Sequence, residues 1–261
     1  MTIAVSDTLE VSTLDLTTYL ADSHVALAPI KSIDAVNGEV YAYELLLRVP
    51  RMSAEDAIQL IGSARVMPIL AHGLAQIAYQ ESQTKGVRYH INIHLRDLTD
   101  LMPPQQRTLV EVLMGLEAAA TRKGHVGVEI HEATPLTPEH LALCRRLCEA
   151  GVHVVYDDVL KPKGHRPYEF LQSLPAEGVT ALKLDHEMTQ RCIGNQGNGF
   201  RTSTPRDEET YRAVSLLGEL CARRNWFLMA EGANRDTDLK PLRGLGFTHY
   251  QLYKETGRIG I

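Results

Sequence analysis

"HVGVEIHEATPLTPEHLALCRRLCEAGVHVVYDDVL", residues 125–160, contains one complete repeat of an alternating pattern. A short Val-rich run (125–132) leads into a stretch with apolar residues at helical spacing (137–151). A second short apolar run (153–160) follows. Two strands joined through a helix read as neighbours in a parallel sheet, because a parallel pair needs a crossover of a dozen or more residues. The second run ends in Asp157 and Asp158. Adjacent carboxylates repel each other, and burying either costs several kcal/mol unless a positive group compensates.

The pattern continues on both sides. Further apolar runs lie at 25–33, 40–49, 87–95, 179–187, 226–233 and 248–254, eight in all. Helical stretches are expected at 53–82, 103–124, 205–225 and 235–246. The first opens with Ser53 and Asp56 in a capping arrangement and is divided by Pro68. Only "DAVNGE" separates the first two runs, so they should pair as an antiparallel hairpin. Eight strands in 261 residues predict an α/β fold, a TIM-like (β/α)8 barrel with one antiparallel strand. A doubly wound sandwich is the competing architecture. One domain is expected over 1–261, with 1–24 a peripheral extension. The Gly- and Asn-rich stretch 192–205 reads as a surface loop.

Composition narrows the functions. A net charge of −5 gives no electrostatic case for a DNA-binding or membrane-surface protein. No apolar run is long enough to span a bilayer, and "MTIAVSDTLEVSTLD" does not resemble a secretory signal. A cytoplasmic protein is expected. Cys144, Cys148, Cys192 and Cys221 form no CxxC pair and read as reduced thiols.

Every run but the first carries a polar residue near its C-terminal end: Glu44, Asn92, Glu129, Asp157 with Asp158, Lys183, Glu231 and Gln251. In a barrel these ends meet on one face. Carboxylates plus one amide suit Mg²⁺ or Mn²⁺, and adjacent aspartates could serve two ions. Two such ions form a clamp suited to phosphate-ester hydrolysis. Lys183 could orient water or move a proton, and Arg48 could pair with phosphate. Each residue also has a plainer reading. A single strand-end glutamate is more often solvated than catalytic, the paired aspartates can cap a helix, and Lys183 can neutralise one acid. His90, His94 and His131 raise a zinc alternative, but their spacing matches no zinc motif.

Taken together the set resembles the EAL-domain family, bacterial phosphodiesterases that linearise cyclic di-GMP. The family's Glu-Ala-Leu-Leu-Arg corresponds to "ELLLR" (44–48), its Val-Asn-Leu to "INI" (91–93), and its Leu-Glu-Ile-Thr-Glu to "VEIHE" (128–132). Its Asp-Asp-Phe-Gly corresponds to "DDVL" (157–160), its Lys-Ile-Asp to "KLD" (183–185), its Ala-Glu-Gly-Val-Glu to "AEGAN" (230–234), and its Gln-Gly-Tyr to "QLY" (251–253). The resemblance implies metal ligation by Glu44, Asn92, Glu129 and Asp157, with Asp158 on a second ion. It implies that Lys183 and Glu231 position water and that Gln251 completes the site. Leu46, Arg48 and Asn234 would touch the dinucleotide, and Glu132 would support the loop. Two Mg²⁺ or Mn²⁺ ions, linear pGpG as product and a homodimer are the further implications.

The chain departs from the family pattern in four places. "VLKPKGHRPY" (159–168) replaces the loop that begins Phe-Gly, His131 replaces a threonine, Asn234 replaces a glutamate, and Leu252 replaces a glycine. These leave two alternatives beside cyclic di-GMP hydrolysis. One is a non-catalytic relative that binds cyclic di-GMP or a protein partner. The other is a phosphodiesterase for a different phosphodiester.

Overall fold

The computed structural model describes residues 24–34, 39–49, 53, 56, 73–80, 83, 87–94, 103–120, 124–131, 136–160, 177–194, 206–233, 236–251 and 257–260. Its strands are β1 (His24–Ser32), β2 (Val40–Arg48), β3 (Arg88–His94), β4 (Val126–His131), β5 (His153–Val159), β6 (Ala181–Leu184), β7 (Phe227–Glu231), β8 (His249–Gln251) and β9 (Gly257–Gly260). The helices that follow β3 are α1 (Pro103–Ala119), α2 (Pro138–Glu149), α3 (His186–Ile193), α4 (Glu208–Arg224) and α5 (Asp236–Gly244). Residues 73–80, between β2 and β3, are also helical.

Strands β2 to β8 pair in parallel, each with the next in sequence. Strand β1 runs antiparallel to both β2 and β8 and closes the barrel. The first part of β1 also pairs with β9, from His24↔Gly260 to Leu27↔Gly257. The barrel and its one antiparallel strand are as the sequence predicts, and the sandwich is excluded. Strand β9 was not expected. Helix α3 also corrects the sequence reading, because β6 stops at Leu184 and residues assigned to a strand and a loop form this helix instead.

Local signals explain where helices start. Thr137 caps α2 by accepting from the His140 backbone N–H, and the His140 side chain reciprocates. Asp207 caps α4 by accepting from Glu209 and Thr210. Ser53 Oγ accepts from the Asp56 N–H at 3.0 Å, as the capping arrangement predicts. Pro68 lies outside the described residues.

Strand alternation divides the apolar residues into two cores. Val154, Tyr156, Leu182, Leu184, Leu228 and Ala230 face outward into the layer between barrel and helices. Ile30, Ala42, Val155, Ala181 and Met229 face inward and fill the middle of the barrel. Below this plug, Tyr41, His153, Phe227 and His249 pack ring against ring, with Tyr41 and His249 centroids 4.1 Å apart. Tyr41 reaches this floor from a bulge: Lys31 pairs with Val40 and Ile30 with Ala42, leaving Tyr41 as the extra residue. Because side chains repeat with period two, the inward residues one step above the plug are fixed. They are Glu44, Asp157, Lys183 and Glu231, two positions beyond Ala42, Val155, Ala181 and Met229.

Candidate metal centre

Lys183 stands at the middle of this upper layer, buried and in contact with three carboxylates. Its Nζ donates to Glu129 Oε2 at 2.6 Å, to Glu44 Oε2 at 3.0 Å and to Asp157 Oδ2 at 3.4 Å. Glu44 also accepts from Asn92 Nδ2 at 2.5 Å and from Gln251 Nε2. Side chains from three other strands therefore converge on one glutamate. Residues separated by as many as 207 positions in sequence become hydrogen-bond partners.

One ammonium faces three carboxylates in direct contact, so the layer carries surplus negative charge when all are ionised. Burial would raise Glu44, but the Lys183 charge and the hydrogen bonds from Asn92, Gln251 and Lys183 outweigh it and hold its carboxyl below the usual value. Burial pushes Glu129 up to about 7, and the neighbouring Glu44 charge adds to the rise against the pull of Lys183. Burial likewise carries Asp157 well above its usual value, with Glu129 and Glu44 adding to it. Burial alone would lower Lys183, but Asp157, Glu129, Glu44 and Glu231 hold it well above the usual lysine range. It stays charged.

The paired aspartates are separated by a backbone device. Tyr156 pairs with Leu182 but Val159 with Leu184, so β5 spends one extra residue where β6 spends none. Asp158 sits in this bulge with φ 55°, a left-handed conformation that aspartate tolerates better than most residues. Its N–H donates to Asp157 Oδ1 at 2.7 Å. In a regular strand the two carboxylates would point to opposite faces of the sheet. Here Asp157 turns to Lys183, while Asp158 joins Asp185 and Glu231, each offering a carboxylate oxygen within 4.8 Å of the other two.

This second cluster includes Asp185, which the sequence reading did not place in the site. Asp185 also caps α3 by accepting from the Glu187 N–H at 2.8 Å. Its position directly after the strand carrying Lys183 was the available signal. Burial raises the Glu231 carboxyl, with Lys183 opposing. Gly232, directly after Glu231, has φ 73°, and a Cβ there would overlap His186 Nδ1.

His90 was also missed as a site residue. It was considered only as a zinc ligand, but its Nδ1 lies 2.8 Å from Glu129 Oε1, fully buried. Burial, helped by the nearby Lys183 charge, lowers its pKa to about 3, so the ring is neutral; beside an ionised Glu129 it is Nδ1 that carries the proton and donates it. Among the described residues no histidine joins a metal-sized cluster, and the zinc reading gains no support.

The donor set fits hard divalent cations. It consists of carboxylate and amide oxygens, it carries excess negative charge, and Gln251 Oε1 is buried without a hydrogen-bond partner. With its Nδ2 committed to Glu44, Asn92 keeps its amide oxygen for a cation. Leu46 and Arg48 lie beyond Glu44 on β2, half-buried and exposed. Glu132, Asn234, Leu252, residues 161–168 and the side chains of His94 and His131 lie outside the described residues. So does the N-terminal stretch before His24.

No family profile and no curated protein matches the sequence. Solved structures do match. The PaMucR phosphodiesterase in complex with c-di-GMP aligns with 17% identity and a TM-score of 0.66, over 91% of this chain and 97% of that one. The Xanthomonas citri FimX EAL domain in complex with c-di-GMP aligns with 13% identity and a TM-score of 0.66, over 94% and 92%. A manganese and cyclic di-GMP complex of Klebsiella pneumoniae BlrP1 aligns with 16% identity and a TM-score of 0.60, over 88% of this chain and 54% of that one. The chain thus has the barrel fold of EAL domains. Among the described residues no helix is long and apolar enough to cross a membrane.

Proposed function

We propose that this chain is an EAL-type phosphodiesterase that hydrolyses cyclic di-GMP to linear pGpG with divalent metal. The observation that carries the reading is the surplus of buried carboxylates around Lys183, set at the strand ends of an EAL-type barrel. Such a cluster is costly to a protein that only has to fold. It is well suited to one that binds Mg²⁺ or Mn²⁺.

Glu44, Asn92, Glu129 and Asp157 would hold one ion, and Asp158 with Asp185 a second. Bound divalent ions would polarise the phosphoryl group and lower the pKa of water. The chain's own groups do the rest. Lys183 keeps three carboxylates in register and orients the incoming water. Glu231, whose carboxyl burial raises, is a stronger base than a solvated glutamate and is suited to accept a proton from water. Gln251 fixes Glu44 by its amide N–H and offers Oε1 to the site. Arg48, exposed at the end of β2, offers a planar donor set to phosphate, with Leu46 two residues before it; the resemblance adds Asn234 as a nucleotide contact. In the reaction the water oxygen bonds to phosphorus and the P–O3′ bond breaks. The 3′ oxygen takes a proton, leaving a 5′-phosphate.

The test is incubation with cyclic di-GMP and Mn²⁺ or Mg²⁺, followed by chromatography of the nucleotides. Appearance of pGpG, lost in Glu44→Gln and in Asp185→Ala, is the expected result. Intact cyclic di-GMP under both metals overturns the catalytic reading. Calorimetric binding of the intact nucleotide would then assign the chain as a receptor.

A further inference from the structure

Glu129 is held from two sides. Lys183 takes Oε2 at 2.6 Å, and His90 takes Oε1 at 2.8 Å. The lysine contact belongs to the charge balance of the site. The histidine contact is a separate arrangement with its own structural requirements.

His90 projects inward from β3, two positions before Asn92, and is fully buried. Its backbone neighbour across the sheet is Gly127. A Cβ at Gly127 would overlap the His90 ring at Cδ2, Nε2 and Cγ. The ring therefore lies across the glycine and occupies the space that a side chain on β4 would fill. From there it reaches forward to Glu129, the next inward residue on the same strand. Gly127 also pairs with His153 of β5, whose ring centroid is 5.6 Å from that of His90. His153 closes the far side, so the imidazole is held between two strands in one orientation.

We propose that His90 is a positioning residue for the metal centre: seated over Gly127, its Nδ1–H fixes one oxygen of Glu129 so that the carboxylate presents a single defined geometry to a cation. The inference rests on the reading of the site as a metal centre and deepens it. Carboxylates that ligate metals are themselves oriented by hydrogen bonds, and loss of such a partner costs about 10- to 100-fold in metal affinity. Packing alone would not need a nitrogen here, because Leu or Met fills a buried space of this kind. A histidine in an apolar plug leaves Nε2 buried without a partner. That is a cost the Nδ1 contact offsets.

The experiment compares Mn²⁺ affinity by calorimetry in the wild type, His90→Asn, His90→Gln and His90→Leu. Asparagine places an N–H where Nδ1 stands, two bonds from Cβ; glutamine places it one bond further on, and leucine offers none. The expected order is near-wild-type affinity for Asn and a loss of about 10-fold or more for Gln and Leu. Thermal melting in chelator checks that each variant folds. If His90→Leu does not fold, the Asn and Gln pair decides the question alone. Equal Mn²⁺ affinity in Asn and Gln, or wild-type affinity in Leu, overturns the positioning role while leaving the metal centre standing. A wild-type protein that binds no Mn²⁺ overturns the metal centre itself, and the positioning role with it.

Discussion

Replacing Lys183 with methionine removes the ammonium at the centre of the layer and keeps most of its volume. The consequence can be worked from the contacts. Lys183 touches Glu129, Glu44 and Asp157. Without it the carboxylates cannot all remain charged in the barrel, and the least costly escape is protonation. Glu129, already raised to about 7, protonates with little further cost at neutral pH. Glu44 is held below its ordinary value of 4.5 by Lys183 and its hydrogen bonds, so it bears most of the loss. Protonating one such carboxyl at pH 7 costs about 3 kcal/mol relative to the unfolded chain, at 1.36 kcal/mol per pKa unit. For a chain of this length that corresponds to a fall in Tm of roughly 5–10 °C. The sign with pH follows. In the variant the folded carboxyl pKa lies above the unfolded one, so stability is present at acid pH and is lost as pH rises through the folded value. The Tm gap between variant and wild type, measured in chelator, should therefore be small near pH 5 and widen toward pH 8. Mn²⁺ should narrow the gap at pH 8, because the cation supplies the missing positive charge, but turnover should stay lost. Parallel Tm–pH curves for the two proteins would refute the reasoning, since they would mean that Lys183 does not compensate buried charge.

Two further outcomes follow from the other end of the barrel and from the β7 terminus. Burial, with the neighbouring His90 and Arg88 adding to it, lowers His249 to about 4. It should cost about 3 kcal/mol of stability as pH falls from 6.5 toward 4, because the unfolded chain takes up the proton first. Urea midpoints at pH 7 and pH 4.5 should differ less in His249→Gln than in the wild type, and an unchanged difference would count against the burial argument. Gly232→Ala places a Cβ on a backbone with φ 73° and against His186. It should lose at least about 1–2 kcal/mol from the left-handed conformation alone. A wild-type Tm in that variant would show that the turn after Glu231 relaxes freely.

Much of this was legible in the sequence, for a definite reason. The barrel follows from eight short runs separated by helical stretches, and period-two alternation then sends Glu44, Asn92, Glu129, Asp157, Lys183 and Gln251 to the same interior. Side-chain direction on a regular strand requires no tertiary knowledge. What escaped notice lies where the chain leaves regularity or where a residue has two roles. Asp158 was assigned to a second ion, but the β5 bulge that parts its carboxylate from that of Asp157 appears only when Tyr156↔Leu182 and Val159↔Leu184 are aligned. Asp185 read as part of the run 179–187, because nothing in that run shows that the strand stops at Leu184 and a helix begins at His186. His90 read as a zinc candidate, because its partner Glu129 sits 39 residues away on a neighbouring strand. The significance of Gly127 depends on that ring and on nothing in its own strand. Strand β9 lacked a helical crossover to announce it, since it pairs antiparallel to the first part of β1.

The layers of the barrel interior also bear on why so costly a cluster persists. The middle plug is small and apolar: Ala42, Val155 and Ala181 with Ile30 and Met229. It separates the carboxylate layer from the floor of Tyr41, His153, Phe227 and His249, where burial keeps both histidines neutral. The same architecture could have carried apolar side chains at the upper layer, and such replacements of buried ion clusters are often neutral or stabilising. The fold instead concentrates Glu44, Glu129, Asp157 and Lys183 there and uses Asn92, Gln251 and His90 to fix their oxygens. Hydrogen bonds that orient carboxylates do not remove the charge surplus; they make it directional. A directional surplus of oxygen ligands over an apolar floor is what a divalent cation requires, and the folded chain alone gains little from it.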